Sequence, residues 1–112
     1  NHLRTIHACA MITAAEYCTG LYLLAHLSPK SYRLVMKEIK SEFVKRAIGP
    51  VSFKFAPEPA WLEVGKSRLA THQPWYAHAL IEGTDSSGET VCRVQVQWQL
   101  KAWASSSHSV AL

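Results

Sequence analysis

The chain has 112 residues, of which 48% are hydrophobic and 18% charged, and its net charge is +4 at pH 7. This length and balance are typical of one soluble globular domain, 1–112, with a core of its own, and the charge favours an anionic partner without identifying it. Three cysteines (Cys9, Cys18 and Cys92) without CxxC or metal spacing argue against a metal site, so we expect reduced, buried thiols in a cytoplasmic protein.

The chain starts at Asn1 rather than at Met, so we expect an N-terminal piece, for example an edge strand, to be missing. From His7 to Leu27 the sequence predicts one long helix that is apolar on almost every side, with a single carboxylate at Glu16. Something must wrap around such a helix, and Gly20 in its middle indicates a close approach of a sheet. The segment is long enough to cross a bilayer, but Glu16 and its other polar residues favour a core helix, so we expect no membrane span.

Pro29 ends the helix, and most of the chain after it is predicted to form β-strands. Tyr32–Ala47 is a strand candidate whose two faces carry different residues: Val35, Ile39 and Phe43 on one, and Glu38, Lys40 and Glu42 on the other. After a turn at residues 48–50, Val51–Phe55 alternates as a shorter strand.

The segment 57–74 is the least regular, although Pro59 can start a short helix that Gly65 weakens. Trp75–Thr84 and Thr90–Ala102 then predict a hairpin, whose second strand directs to the core its alternate residues Cys92, Val94, Val96, Trp98 and Leu100. The tail from Ser105 resembles a frayed end. One apolar helix and four strands give an α+β fold, an antiparallel sheet wrapped around the helix.

The helix start carries a pattern made by Asn1, Thr5, His7 and Glu16. At this spacing it resembles the active-site segment of hotdog-fold acyl-CoA thioesterases of the phenylacetyl-CoA type, most nearly an uncharacterised thioesterase-like branch. In that family an Asn precedes a His-Gly-Gly at the helix start, and a carboxylate follows nine residues after the His. The chain departs from the family at Ala8 and Cys9, which replace Gly-Gly, and it shows no clear Ser or Thr near Met36.

The resemblance implies a homodimer, or a tetramer made of two dimers, that acts on an acyl-CoA or acyl-carrier thioester, with no cofactor beyond the coenzyme A of the substrate. Free amides of Ala8 and Cys9 at the helix start would hold the developing oxyanion. Glu16 lies about 13 Å along the helix from His7, so it would act on the helix start of the other subunit. It would serve as general base or nucleophile, with burial raising its pKa, while Asn1 and His7 position the thioester or the water.

Each of these roles has a structural alternative. Glu16 can be a carboxylate satisfied by Tyr or backbone groups, His7 a helix cap, and Asn1 a turn residue. Four basic residues could bind the phosphates of coenzyme A or form a solvated face: Lys37, Lys40, Lys45 and Arg46. Trp61, Trp75 and Trp98 are better explained as core or dimer contacts. A non-catalytic acyl-CoA or acyl-chain binding module is the second functional hypothesis. Nucleic-acid binding is not expected, since no basic run is interleaved with aromatics.

Overall fold

A computed structural model describes the backbone of residues 2–103 and the side chains of residues 8–103. Its elements are α1 (His2–His26), β1 (Tyr32–Phe43), β2 (Ser52–Phe53), α2 (Pro59–Ala70), β3 (Trp75–Thr84) and β4 (Thr90–Ala102). The four strands form one antiparallel sheet in the order β1-β4-β3-β2, and α1 packs on one face of it. This is the predicted α+β hotdog plan.

The β3–β4 hairpin forms the centre of the sheet and follows the predicted bounds. The five predicted core residues of β4 are all buried, together with Ala77, Ala79 and Ile81 of β3. The turn between the strands is held by the Asp85 carboxylate, and Gly88 in it has a φ of +85° that favours glycine. Because apolar and polar residues alternate strictly in these strands and the turn residues are unambiguous, the sequence predicts the bounds and faces of both strands correctly.

Helix α1 packs against β3 and β4 and buries one side only. Ala15, Thr19, Leu23 and Leu27 face the sheet and are buried. At Gly20 a Cβ would lie 3.1 Å from the Trp98 ring, so the expected close approach of sheet and helix is confirmed. The sheet covers this side of the helix, whereas the side away from the sheet is exposed.

Strand β1 contains a bulge that the sequence did not reveal. Its register against β4 shifts between Met36 and Glu38. Val35 pairs with Gln99 on the outer face of the sheet, whereas Ile39 pairs with Val96 on the inner face. The prediction that Val35 shares a face with Ile39 and Phe43 is therefore wrong, because one extra residue in a strand reverses the direction of every later side chain. The strand also ends at Phe43 rather than at Ala47.

The segment between β2 and β3 is better ordered than its sequence suggests. β2 is reduced to Ser52–Phe53, but α2 starts at Pro59 as predicted and continues to Ala70. Gly65 does not interrupt α2: it is the point at which the helix contacts the Trp75 ring, since a Cβ there would lie 2.3 Å from ring carbon Cε3. Trp75 is buried and contacts the half-buried Trp61, which agrees with the core role expected for both.

Candidate active site

The start of α1 differs from the prediction. The helix begins at His2, five residues before the expected His7, and it runs through Ala8 and Cys9 without a break. In the interior of an α-helix each amide is bonded to the carbonyl four residues earlier, so the amides of these two residues are not free donors. The helix extends through these positions because they hold Ala8 and Cys9 instead of the Gly-Gly of the family pattern, and glycine destabilises a helix interior by about 1 kcal/mol relative to alanine.

Glu16 lies at the edge of the buried side of α1. As a whole the residue is half-buried, and within the described side chains its carboxylate has no hydrogen bond or ion pair. Only its backbone carbonyl is engaged, since it accepts a hydrogen bond of 3.1 Å from the Thr19 hydroxyl. The structural alternative required hydrogen bonds from a tyrosine or from backbone groups to this carboxylate. The described residues make no such bonds.

Two contacts of α1 with β4 define which part of the sheet Glu16 faces. Near one end of the helix the Cys92 thiol lies 3.8 Å from the Met11 sulfur, and nine residues after Met11, Gly20 packs on Trp98. Glu16 comes between Met11 and Gly20 along the helix. It shares its flank of the helix with Gly20, one turn further on, whereas Tyr22 on the other flank contacts Phe55. Glu16 is thus directed toward the β1 side of the sheet.

The inner face of β1 on that side is only partly covered. The residues that the register places on it are Leu34, Met36, Ile39, Ser41 and Phe43. Met36 and Phe43 are 37% and 44% exposed, and Ser41 is exposed as well. β1 is also the edge strand of the sheet, so within the described residues its outer backbone groups pair with no strand. Glu16 therefore lies on the flank of α1 that is on the side of an open, mainly apolar strand.

Ser41 is a polar residue of this region that the sequence did not identify. The register places it opposite Val94, on the same side of the sheet as α1 and on the same face of the strand as Ile39 and Phe43. The family resemblance asks for a Ser or Thr in this strand, and the sequence shows no clear match near Met36. Ser41 supplies a hydroxyl further along the same strand, and its alternation with Ile39 and Phe43 was a signal in the sequence that could have identified it.

Asn1 and the side chain of His7 lie outside the described residues, so their predicted positions are not tested. The four basic residues are spread out: Lys37 is at the bulge, Lys40 on the outer face beside a cleft of about 120 Å³, and Arg46 in the loop after β1. Lys45 is ion-paired with Glu89, whose hydrogen bond raises the lysine pKa. These residues do not form one cluster.

The cysteines differ in exposure. Cys92 is buried, which raises the pKa of its thiol, whereas Cys18 is half-buried and Cys9 exposed, so the prediction of burial is wrong for Cys9. Among the described residues no three His, Cys, Asp or Glu side chains are arranged to hold a metal ion. By length and composition alone, the segment Ala8–His26 could cross a membrane, and in this fold it is also the helix that packs on the sheet.

Comparison with known proteins gives two matches. The model of the family described as "Domain of unknown function (DUF4442)" matches residues 1–100. The fold is similar to that of PA5026 from Pseudomonas aeruginosa, described as a protein of unknown function and probable thioesterase, with a TM-score of 0.78 and 20% identity. The match covers 86% of this chain and 64% of that one. No curated protein matches the sequence. At this identity the structural match shows a shared fold.

Proposed function

The chain belongs to the DUF4442 family, and from the position of Glu16 in its hotdog fold we propose that the protein hydrolyses an acyl thioester at a dimer interface. One observation carries the proposal. Glu16 is a half-buried residue in an otherwise apolar helix, and its carboxylate has no partner among the described side chains, which favours a functional role over a structural one. The exposed inner face of β1 beside it offers the surface on which an acyl chain can lie.

The proposed reaction needs a base and a water molecule. Glu16 takes a proton from the water, and the water oxygen forms a bond to the acyl carbon. The C–S bond then breaks, and the leaving thiolate receives the proton back from Glu16, which yields a carboxylic acid and a free thiol. Direct attack by Glu16, through a mixed anhydride that water hydrolyses, gives the same products. Ser41 is a candidate for positioning the water or the thioester.

A dimer is part of the proposal because, in the part of the chain that the structure describes, the twelve residues of β1 form a free strand edge. A long unpaired edge is a liability in an isolated chain, and its pairing with a second β1 would remove it. Such pairing would cover the exposed Met36 and Phe43 and bring the helix start of one copy toward Glu16 of the other. Asn1 and His7 of that helix start would then supply the hydrogen bonds that the amides of Ala8 and Cys9 cannot.

The substrate class we propose is an acyl-CoA or an acyl-carrier thioester. The thioesterase description of PA5026, which shares the fold, supports the reaction class. The positive net charge of the chain supports an anionic carrier. Lys37, Lys40 and Arg46 are candidates for contacting its phosphates, whereas the ion pair of Lys45 with Glu89 makes that residue the least suitable of the four.

One observation favours a second function, a non-catalytic acyl-CoA binding module. Because α1 continues through Ala8 and Cys9, their amides are bonded within the helix, and the oxyanion loses the donors that the family pattern provides. A protein with an apolar strand and a carboxylate, but without this donor pair, could hold the thioester without turning it over.

The test measures free thiol release from a panel of acyl-CoAs of increasing chain length. Glu16→Gln keeps the shape of the side chain and removes the base, so we expect a loss of at least about 100-fold in kcat, in the range typical of a general base. The matched control is Glu38→Gln, which changes an exposed glutamate on the outer face of the same sheet and should leave kcat unchanged.

Equal activity of wild type and Glu16→Gln would refute a catalytic role for Glu16. Binding of acyl-CoA without turnover, measured by calorimetry on the wild type, would favour the binding module over the enzyme. Neither binding nor turnover with any acyl-CoA or acyl-carrier thioester would refute both.

A further inference from the structure

The face of the sheet that points away from α1 carries, at one end, four side chains that we name the outer patch: Arg33, Tyr76, Gln99 and Lys101. The register places Arg33 opposite Lys101 and Tyr76 opposite Gln99. Along β4, Gln99 and Lys101 flank the buried Leu100, which points to the core, so the patch lies on the opposite face. The proposed hydrolysis makes no use of this face.

Two cations of the outer patch face each other. Arg33 and Lys101 are direct cross-strand partners, and like charges in this position repel, which an anion between them would relieve. Among the described residues neither forms an ion pair, whereas Arg93 on the same face is paired with two glutamates. The register brings no carboxylate into their row or into the next one. An Arg guanidinium beside a Lys ammonium is a combination that binds phosphate.

An aromatic ring lies in the row beside these cations. Tyr76 is 43% exposed, and its hydroxyl oxygen accepts a hydrogen bond of 3.1 Å from Gln99 Nε2 on the neighbouring strand. This bond restrains the ring, and an exposed aromatic ring in a fixed position is a surface on which a nucleic-acid base can stack. One row further, Gln97 Nε2 lies 3.3 Å from His78 Nε2, so polar groups are close to the edge of such a base.

The spacing of the ring and the cations fits one nucleotide. Gln99, which holds the Tyr76 ring, and Lys101 are two residues apart, or about 7 Å along a strand. A ribose spans a comparable distance between a base and its 5′-phosphate. We propose that the outer patch binds a nucleotide, with the base stacked on Tyr76 and the phosphate between Arg33 and Lys101.

The chemistry of this ligand, a base that carries a phosphate group, has three sources: a free nucleotide, the nucleotide half of coenzyme A, and single-stranded RNA. The site does not depend on the proposed hydrolysis, because Glu16 lies on the other side of the sheet. The sequence has no basic run interleaved with aromatics, since the residues of the patch come from three strands and meet only in the folded sheet.

The first test is titration calorimetry of wild type with AMP, coenzyme A and a uridylate octamer at low salt. We expect AMP to bind at least about tenfold more tightly than inorganic phosphate or adenosine, because only AMP engages both the ring and the cations. Its binding should weaken as salt is raised. Absence of binding by all three probes, equal affinity for AMP and phosphate, or tighter binding of a polyglutamate peptide than of AMP would overturn the proposal.

The same titration distinguishes the sources. An octamer that binds more than about tenfold tighter than AMP would identify single-stranded RNA, and coenzyme A with that advantage would identify the coenzyme. Similar affinities for the three probes would identify a free nucleotide. Each of these results supports the nucleotide site.

Substitutions connect the binding to the patch. Tyr76→Ala should weaken AMP binding by about 5–150-fold, the range typical of one stacked base, whereas Tyr76→Phe keeps the ring and should retain binding. The matched control is Tyr17→Ala, which removes a 67% exposed tyrosine from α1. Lys101→Gln should weaken AMP binding at least about fivefold. Its control, Lys54→Gln, changes an exposed lysine after β2 and lowers the net charge equally.

All substituted residues are exposed, so circular dichroism should show wild-type folding for each variant. Unchanged AMP affinity in Tyr76→Ala or Lys101→Gln would overturn the proposal. An equal loss in the matched controls would do so too, because it would place the binding elsewhere. A loss in Tyr76→Phe as large as in Tyr76→Ala would assign the effect to the hydroxyl and overturn the stacking.

Discussion

The contact between Thr19 and Trp98 is the polar link between α1 and the sheet, and its removal is a sensitive test of the fold. The Trp98 indole N–H donates a hydrogen bond of 2.9 Å to the Thr19 hydroxyl oxygen, and both residues are buried. Thr19→Val keeps the shape of the side chain and leaves the indole N–H without an acceptor. The Glu16 carbonyl loses the Thr19 hydroxyl but keeps its helical amide partner, so its loss contributes little.

An unsatisfied buried donor costs about 1–3 kcal/mol, and we expect Thr19→Val to lower the free energy of unfolding by that amount. With an unfolding entropy of about 2.1 cal/mol/K per residue, a chain of this length should lose roughly 4–13 °C in Tm. The measurement is urea denaturation followed by circular dichroism, with an unchanged m-value as the check that the unfolded state is the same. Thr13→Val, an exposed threonine on the same helix, is the matched control and should stay within about 0.5 kcal/mol.

A double-mutant cycle with Trp98→Phe isolates the hydrogen bond from packing. In the Trp98→Phe background no indole N–H remains at this position, so Thr19→Val should be close to neutral, and the coupling energy should be about 1 kcal/mol or more. Equal costs of Thr19→Val in both backgrounds would refute the reasoning and assign the effect to packing alone.

Three further predictions concern the segments around the sheet. Gly65→Ala should destabilise the protein by about 1–3 kcal/mol in urea denaturation, because the new methyl group would overlap the Trp75 ring, and a neutral result would contradict that contact. His72→Gly should stabilise the protein by about 0.5–1 kcal/mol in the same assay, because His72 follows α2 with a φ of +63°, a backbone conformation that glycine adopts more easily. A loss of stability would show that the His72 side chain makes a favourable contact. The Ser87 hydroxyl and the Ile48 amide lower the pKa of Asp85 to about 2. Protonation of Asp85 then weakens the folded state, so the thermal midpoint of wild type should fall as the pH drops from about 4 to 2. In Asp85→Asn the thermal midpoint should change less over this pH range. Parallel plots of thermal midpoint against pH for the two proteins would exclude the carboxylate as the cause.

The elements predicted best are those whose signal is local and repeated. The β3–β4 hairpin alternates over two strands and encloses a turn with Asp85 and Gly88, so both bounds and faces follow from the sequence. The bulge in β1 has no such signal, because an extra residue changes the register without changing the composition. Periodicity therefore places Val35 on the wrong face, whereas it places Ser41 correctly, on the face of Ile39 and Phe43.

Of the candidate site, the sequence identified one residue, Glu16, but not the arrangement of the residues around it. Glu16 stands out because it is the only carboxylate in a long apolar segment. The start of α1 did not follow from the resemblance, since Ala8 and Cys9 remove the glycines that limit the helix in the family pattern. From the sequence alone, Gly65 is expected to weaken α2. Its actual role is to leave room for the Trp75 ring, which comes later in the chain and approaches the helix only in the folded structure.

The contact between the Trp61 and Trp75 indoles gives the protein an internal optical reporter. Their ring centroids are 5.0 Å apart and the ring planes are inclined by 62°, a geometry in which the electronic transitions of the two indoles couple and produce paired bands of opposite sign in circular dichroism. Trp61 belongs to α2 and Trp75 to β3, so this signal reports whether the helix is docked on the strand. Detachment of α2 would abolish it while the sheet signal remains, and the state of this segment can be followed without any added label.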